Sequence, residues 1–156
     1  MKTLVVYYSR TGTSQRLAQI IANRLHADLE KIVDTVDRSG AKGYLLAGRD
    51  AMQKRPAKIA QTTYLPQAYD LVILVSPVWA WSLTPAMRSY VLANRSNFNK
   101  IGLVLTRGGS DVVKVFKELE ELCGKKATSK LTLLTKEVIQ ESGSDLISEF
   151  IGDFKV

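Results

Sequence analysis

The sequence has little of what most metal sites and catalytic triads require. Among its 156 residues there is one cysteine, Cys123, and one histidine, His26. A structural zinc site needs several such ligands, and a triad needs a histidine beside a nucleophile and a carboxylate. Neither residue has clustered partners in the sequence, so we expect no metal site and no catalytic side chain of this kind. A lone cysteine also excludes an internal disulfide.

Long apolar runs are missing as well. No run approaches the roughly 20 residues that a membrane-spanning helix needs. The N-terminal Met-Lys leads directly into a strand-like run, without the apolar region of a signal peptide. We therefore expect a cytoplasmic protein without membrane insertion. The length suits one domain, residues 1–156, and the 46% apolar and 24% charged residues are ordinary for a soluble protein.

The charge is unbalanced but dispersed. The formal net charge is +7, with modest clusters of cations between residues 49 and 58 and between 125 and 130. A basic balance favours acidic partners or nucleic acid. Because there is no unbroken basic run and no nucleic-acid motif, we expect no nucleic-acid partner.

Strand-like and helical patterns alternate along the chain. The predicted strands are 2–8, 29–33, 70–75, 100–106 and 130–135, and the predicted helices are 13–25, 41–53, 85–93, 111–123 and 145–154. Runs 71–75 and 101–105 are continuously apolar, which is typical of parallel strands covered on both faces. The alternation predicts a doubly wound α/β sheet of five parallel strands, whose carboxyl ends share one edge.

One helix lies in the long connection between the second and third strands. Its apolar positions include Tyr44, Ala47, Ala51 and Met52, which recur at helical spacing. This stripe predicts a helix that lies over the sheet.

The first loop at that edge has the composition of a phosphate site. It contains Ser9, Arg10, Thr11, Gly12, Thr13 and Ser14. Four hydroxyls and a glycine precede a helix, whose free N–H groups and dipole favour an anion. The alternative is an ordinary turn in which Ser and Thr cap the helix.

The second loop contains both tryptophans of the chain. It includes Pro77, Val78, Trp79, Ala80 and Trp81. A planar aromatic ligand that stacks on an indole would explain this position outside a core strand. The alternative is that both rings pack against a neighbouring loop or a partner subunit, which leaves a homodimer open.

The third loop is rich in glycine. It contains Thr106, Arg107, Gly108 and Gly109. Paired glycines permit positive φ and expose backbone N–H groups. Together the three loops offer a phosphate cradle, an aromatic wall and polar donors, which fit a phosphorylated planar heterocycle.

At these loops the chain resembles the flavodoxin-like family of FMN-binding proteins. The family pattern [Ser/Thr]-x-Thr-Gly-x-[Thr/Ser] is matched by Ser9, Thr11, Gly12 and Ser14, whereas the glycine motifs of nucleotide triphosphatases and dinucleotide-binding proteins are absent. The resemblance implies a three-layer sandwich with strand order 2-1-3-4-5 and FMN at the switch point. It further implies that the first loop holds the phosphate, that Trp79 or Trp81 flanks the flavin ring, and that the Gly108-Gly109 region faces the pyrimidine edge.

The chain departs from electron-carrier flavodoxins in its charge. Those proteins are usually acidic, and their third loop carries acidic residues and a stacking aromatic, where this chain has Arg107 and two glycines. Because a nearby positive charge stabilises an anion, this departure predicts a less negative reduction potential than that of an acidic carrier.

The resemblance implies FMN-dependent electron transfer, and the sequence leaves three forms of the function open. The protein is a one-electron shuttle between redox-partner proteins, or an FMN-dependent oxidoreductase that passes electrons from NAD(P)H to a quinone-like acceptor. The third form is a cofactor-free interaction module that docks through the tryptophan loop and the basic segment 49–58. Whether the chain is an enzyme is therefore open at this point.

Overall fold

A twisted parallel sheet forms the centre of the protein, whose computed structural model describes residues 1–155. The strands are β1 (Thr3–Tyr7), β2 (Asp28–Lys31), β3 (Leu71–Trp79), β4 (Ser82–Leu83), β5 (Lys100–Arg107) and β6 (Ser129–Leu134). The parallel strands lie in the order β2-β1-β3-β5-β6, and β4 pairs antiparallel with β3. Counting the parallel strands alone, this is the predicted order 2-1-3-4-5, which the structure confirms.

Helices cover both faces of the sheet. They are α1 (Thr13–Leu25), α2 (Gly40–Met52), α3 (Pro85–Asn94), α4 (Val113–Cys123), α5 (Thr135–Ile139) and α6 (Ser144–Gly152). No helix in residues 1–155 combines the length and the apolar character needed to cross a membrane.

The central strand β3 shows why two layers of helices are needed. Val72 and Leu74 contribute to one core, which also contains residues of α3 and α4. Leu71, Ile73 and Val75 contribute to the other core, with residues of α1, α5 and α6. Because successive side chains of a strand point to opposite faces, a continuously apolar strand buries both faces only between two layers. The predicted three-layer architecture is therefore confirmed.

The second predicted loop begins later than its sequence indicates. β3 continues to Trp79 and forms a hairpin with Ser82–Leu83, although the prediction ended this strand at residue 75. Pro77 lies within this extension, although proline cannot donate to a ladder. β1 pairs with β3 only as far as Val75, whereas β5 pairs with β3 as far as Pro77. Beyond Val75 the β1 side of β3 is therefore open, and the proline is tolerated there.

The loop edge of the sheet is tied together by a buried hydrogen bond between two hydroxyl groups. Ser14 Oγ at the start of α1 lies 2.8 Å from Thr106 Oγ1 near the end of β5. Both side chains are buried. The bond links the first loop to the third across the end of β3.

Helix α2 approaches the preceding segment closely at Gly43. A Cβ atom at Gly43 would overlap the carbonyl carbon and oxygen of Arg38. At Gly48, in the same helix, the nearest atom to such a Cβ is the Ala80 Cβ at 4.0 Å. Only the first position therefore needs glycine for close packing.

This difference predicts opposite effects of one substitution at two sites of one helix. We expect Gly43→Ala to lower the free energy of unfolding by about 1–3 kcal/mol through overpacking. We expect Gly48→Ala to raise it by up to about 1 kcal/mol, since alanine is the better helix former. Urea unfolding of the two variants measures both changes. Equal changes in the two proteins would contradict the close approach at Gly43.

Candidate functional site

A cavity of about 710 Å³ opens at the carboxyl edge of the sheet. This volume lies within the range of roughly 300–1,000 Å³ that is typical of small-molecule sites. The loop after β1, the β3–β4 hairpin, the loop after β5 and one face of α2 form its walls. The three loops that the sequence singled out are thus brought together.

Most of the predicted site residues line this cavity. They are Ser9, Arg10, Thr11, Thr13, Ser14, Pro77, Val78, Trp79, Ala80, Trp81 and Gly108. Gly12, Thr106, Arg107 and Gly109 do not line it. The Gly12 N–H donates to Ser9 Oγ, and the Thr106 hydroxyl shares a hydrogen bond with Ser14. The Arg107 guanidinium donates to the Ser110 carbonyl oxygen at 3.1 Å.

The α2 wall was missed by the sequence analysis. It comprises Tyr44, Leu45, Ala47, Gly48, Arg49, Met52 and Gln53, and Ser110 and Thr135 also line the cavity. Contrary to the predicted stripe, Tyr44 and Met52 are exposed, while the small Ala47 and Ala51 are buried. Small residues let the helix approach the sheet, which turns the bulky apolar side chains toward the cavity and the solvent. One sequence signal could have indicated this orientation: small residues recur on one face of the helix, and bulky apolar residues lie on the other.

Helix α1 begins with free donors at this cavity. The N-cap residue is Gly12, with φ 99°. As a glycine it has no side-chain oxygen that could cap the helix. The Gly12 N–H donates to Ser9 Oγ at 3.0 Å. Within the described chain, the N–H groups of Thr13, Ser14 and Gln15 donate to no protein acceptor. Such unsatisfied donors at the positive end of a helix dipole favour an anion.

The side chains of the cavity add to this preference. Its charged lining residues are Arg10 and Arg49, and the lining contains no carboxylate. The Arg10 guanidinium donates to the carbonyl oxygens of Arg38 at 2.8 Å and Gly40 at 3.3 Å, and lies 5.7 Å from the centre of the Tyr44 ring. The position of this cation is therefore determined by the protein itself.

Trp79 is a supported wall of the cavity. Its ring meets the Tyr8 ring edge-on at 5.4 Å, and the Arg38 guanidinium lies 5.9 Å from its centre. Burial raises the pKa of Tyr8 to about 12, so that this phenol stays neutral at physiological pH. With these two neighbours behind it, the indole ring is presented in one orientation.

Trp81 differs from Trp79 in its surroundings. It is 69% exposed and lies at the tip of the β3–β4 hairpin. The two turn residues have positive φ, 46° at Ala80 and 57° at Trp81. Two-residue hairpin turns of this kind favour Asn-Gly. A side chain of this size at such a position is a strained choice, which marks the hairpin tip as a functional candidate.

A buried charge cluster holds α2 in place. Arg38 donates from Nε to Asp34 at 2.6 Å and from Nη1 to Asp50 of α2 at 2.9 Å. Arg49 donates to the other oxygen of Asp50 at 2.7 Å. Burial by itself would raise the pKa of Asp50, but the hydrogen bonds from Arg49 and Arg38 hold it below its usual value. The carboxylate is therefore charged and paired at neutral pH.

The sheet order defines a doubly wound α/β protein, and the cavity lies at the switch point between β1 and β3, where such folds bind their ligands. The chain belongs to the flavodoxin family, since the family model described as flavodoxin matches residues 2–149. The resemblance seen in the loop motifs is thereby confirmed. A search among curated proteins gave no match.

Solved structures show the same fold. The flavoprotein from Lactobacillus acidophilus NCFM in complex with FMN has a TM-score of 0.74 and 19% identity, covering 94% of this chain and 98% of that one. The NMR structure of the apo-form of the flavoprotein from that organism has a TM-score of 0.67 and 20% identity, covering 84% and 91%. Oxidised Flavodoxin 2 from Bacillus cereus has a TM-score of 0.56 and 18% identity, covering 99% and 98%.

The strained backbone at Trp81 allows a test of whether its side chain contributes to the stability of the fold. We expect Trp81→Gly to raise the free energy of unfolding by about 1 kcal/mol, because glycine adopts positive φ without strain. His26→Gly is the matched control, since His26 is exposed, has φ 50° and caps α1 far from the cavity. Chemical unfolding should show similar gains for both. A loss of stability in Trp81→Gly alone would show that the indole is kept for packing.

Proposed function

We propose that this protein binds FMN in the cavity and uses it for electron transfer. The observation that carries the proposal is the uncapped start of α1, where Thr13 and Ser14 have free N–H groups and line a cavity without carboxylates. A phosphate dianion satisfies these donors, and flavin supplies the planar aromatic body that the tryptophan wall suits. The FMN complex of the similar Lactobacillus flavoprotein supports this assignment.

The residues present fit each part of FMN. The phosphate would be held by the α1 N–H groups and by the hydroxyls of Thr11 and Thr13, which line the cavity. The ring would lie beside Trp79, whose orientation is supported by Tyr8 and Arg38. When bound, FMN supplies one- and two-electron redox chemistry, while the protein binds it, orients it and limits its access to water.

The two arginines of the cavity act on the charge of the bound group. Arg10 and Arg49 line the site. Asp50, the one carboxylate of α2, is already paired with Arg38 and Arg49. Each positive charge favours a ligand state that carries more negative charge. This supports the less negative reduction potential predicted from the sequence.

An FMN-dependent oxidoreductase that uses NAD(P)H and a quinone-like acceptor is the second candidate. The exposed apolar wall of Tyr44, Leu45 and Met52 favours it, since a planar apolar acceptor could lie against these side chains. Mixing the FMN-loaded protein with NADH or NADPH, without a reductase, separates the two candidates. Rapid bleaching of the flavin bands supports the enzyme, and unchanged bands support the carrier.

The phosphate cradle predicts discrimination between FMN and riboflavin. We expect flavin absorption bands after FMN is added, with tryptophan fluorescence quenched on titration, and weaker binding of riboflavin. In Thr13→Val the affinity for FMN should fall about 10- to 100-fold, which is the effect of losing one hydrogen bond to a charged group. The affinity for riboflavin should stay unchanged.

Thr128→Val is the control for this titration, because Thr128 is exposed and does not line the cavity. Its affinity for FMN should match that of the wild type. Equal affinities of the wild type for FMN and riboflavin would refute the phosphate cradle. The absence of flavin bands altogether would leave the cofactor-free interaction module.

The charge of the site predicts the direction of a change in reduction potential. Removing one positive charge about 10 Å from the flavin removes about 0.4 kcal/mol of stabilisation of the anionic state, or more where water is excluded. Arg49→Gln should therefore make the midpoint potential more negative, whereas Arg95→Gln, an exposed position outside the cavity, should leave it unchanged. Potentiometric titration of both proteins measures the shift. A less negative potential in Arg49→Gln would contradict this account.

A further inference from the structure

Four large apolar side chains are exposed around the cavity mouth. Tyr44, Leu45 and Met52 of α2 are 67%, 71% and 63% exposed, and Trp81 at the hairpin tip is 69% exposed. All four line the opening of one cavity. An apolar patch that is rimmed by polar groups is typical of an interaction surface. We call these four residues the mouth patch.

Helix α2, which carries three residues of the mouth patch, and the segment that follows it are rich in positive charge. Exposed cations on α2 and on the segment that follows it are Lys42, Arg49, Lys54, Arg55 and Lys58. The sequence from 41 to 58 contains one acidic residue, Asp50, and its carboxylate is paired internally with Arg38 and Arg49. Asp37 and Asp111 are exposed on the flanking loops. Lys54 lies 3.8 Å from a carboxylate oxygen of Glu118 in α4, and Arg49 is paired with Asp50. Lys42, Arg55 and Lys58 form no ion pair within the described chain and outnumber the two exposed aspartates.

This charge pattern argues for one occupant. A second copy of the chain would place two sets of like charges opposite each other, in a protein of net charge +7. Nucleic acid binds along tracks of cations that neutralise successive phosphates, whereas here the centre of the surface is apolar. A protein with an apolar contact area and a carboxylate rim complements both features.

We propose that the mouth patch is the docking surface for an acidic redox-partner protein. This inference rests on the proposed function, because the partner's redox group must exchange electrons with FMN in the cavity. In each encounter one group is oxidised and the other is reduced by the same number of electrons. The cations around the mouth accelerate the encounter, and the apolar side chains exclude water from the contact.

Two forms of cytochrome c that differ in charge test whether this surface attracts an acidic partner. Native cytochrome c is basic, and succinylation of its lysines makes it acidic with the same haem. Reduced, FMN-loaded protein is mixed with each form in a stopped-flow instrument, and haem reduction is followed. We expect the acidic form to react at least about 10-fold faster at low ionic strength, with the advantage lost as salt is added.

A charge-reversed pair of variants locates the effect. Lys42 and Arg55 are exposed and do not line the cavity. The double variant Lys42→Glu/Arg55→Glu should therefore still bind FMN, but it should lose most of its faster reaction with acidic cytochrome c. The control is the double variant Lys100→Glu/Lys155→Glu, which changes the net charge of the protein by the same amount. Lys100 begins β5, and Lys155 follows α6 near Asp153, whose carboxylate accepts from Ser129 at the start of β6. Both lie at the opposite edge, and this control should keep the preference.

The outcomes separate the two levels of the proposal. FMN content is measured first, and a protein without flavin bands refutes the proposed function before docking is tested. In FMN-loaded protein, equal or faster reaction with basic cytochrome c overturns the docking surface. A dimer in sedimentation velocity that the mouth variant abolishes would assign the patch to a second copy and overturn the proposal as well.

Discussion

The buried ion pairs of Arg38 are the interaction on which the site depends. One guanidinium joins Asp34, in the segment after β2, to Asp50 of α2, and it also lies behind the ring of Trp79. Its backbone carbonyl in turn receives the side chain of Arg10. Removing one partner of such a buried pair typically costs about 3–5 kcal/mol, because a buried charge is left uncompensated. Two walls of the cavity and one of its cations therefore share a single electrostatic support.

The electrostatics of the site follow from where its carboxylates are. Asp34 and Asp50 lie close to the cavity, but both are used internally by Arg38, and neither lines it. The side chains and helix donors that do face the cavity are neutral or positive. Lys42, Arg55 and Lys58, on α2 and the segment after it, are exposed and form no ion pair within the described chain. The proposed binding of phosphate, the proposed less negative flavin potential and the proposed attraction of an acidic partner thus rest on one feature, the shortage of free carboxylates at this edge.

The parts of the site that were predictable are local in sequence. Ser9 to Ser14 lie between a strand and a helix, so their position at a helix start follows from chain order alone, and the structure places five of the six in the cavity lining. Thr106 was predicted as a site residue of the third loop, but its side chain is buried against Ser14 and does not line the cavity. The α2 wall was not predictable in the same way, since its apolar residues suit either a core or an opening. Which face packs was decided by contacts of α2 with β3, β4 and α3, which lie far from it in sequence.

By itself the sequence determined the fold class and the first loop, because periodicity and loop motifs are short-range properties of the chain. The motifs also indicated the family, and the order of the sheet followed from that resemblance. Only the tertiary structure decided that Trp79 is a supported wall and Trp81 an exposed, strained tip. It also decided that Arg49 rather than Arg107 lines the cavity. The physical reason is that burial and charge pairing depend on residues far apart in sequence, which meet only when the sheet and its helices have assembled.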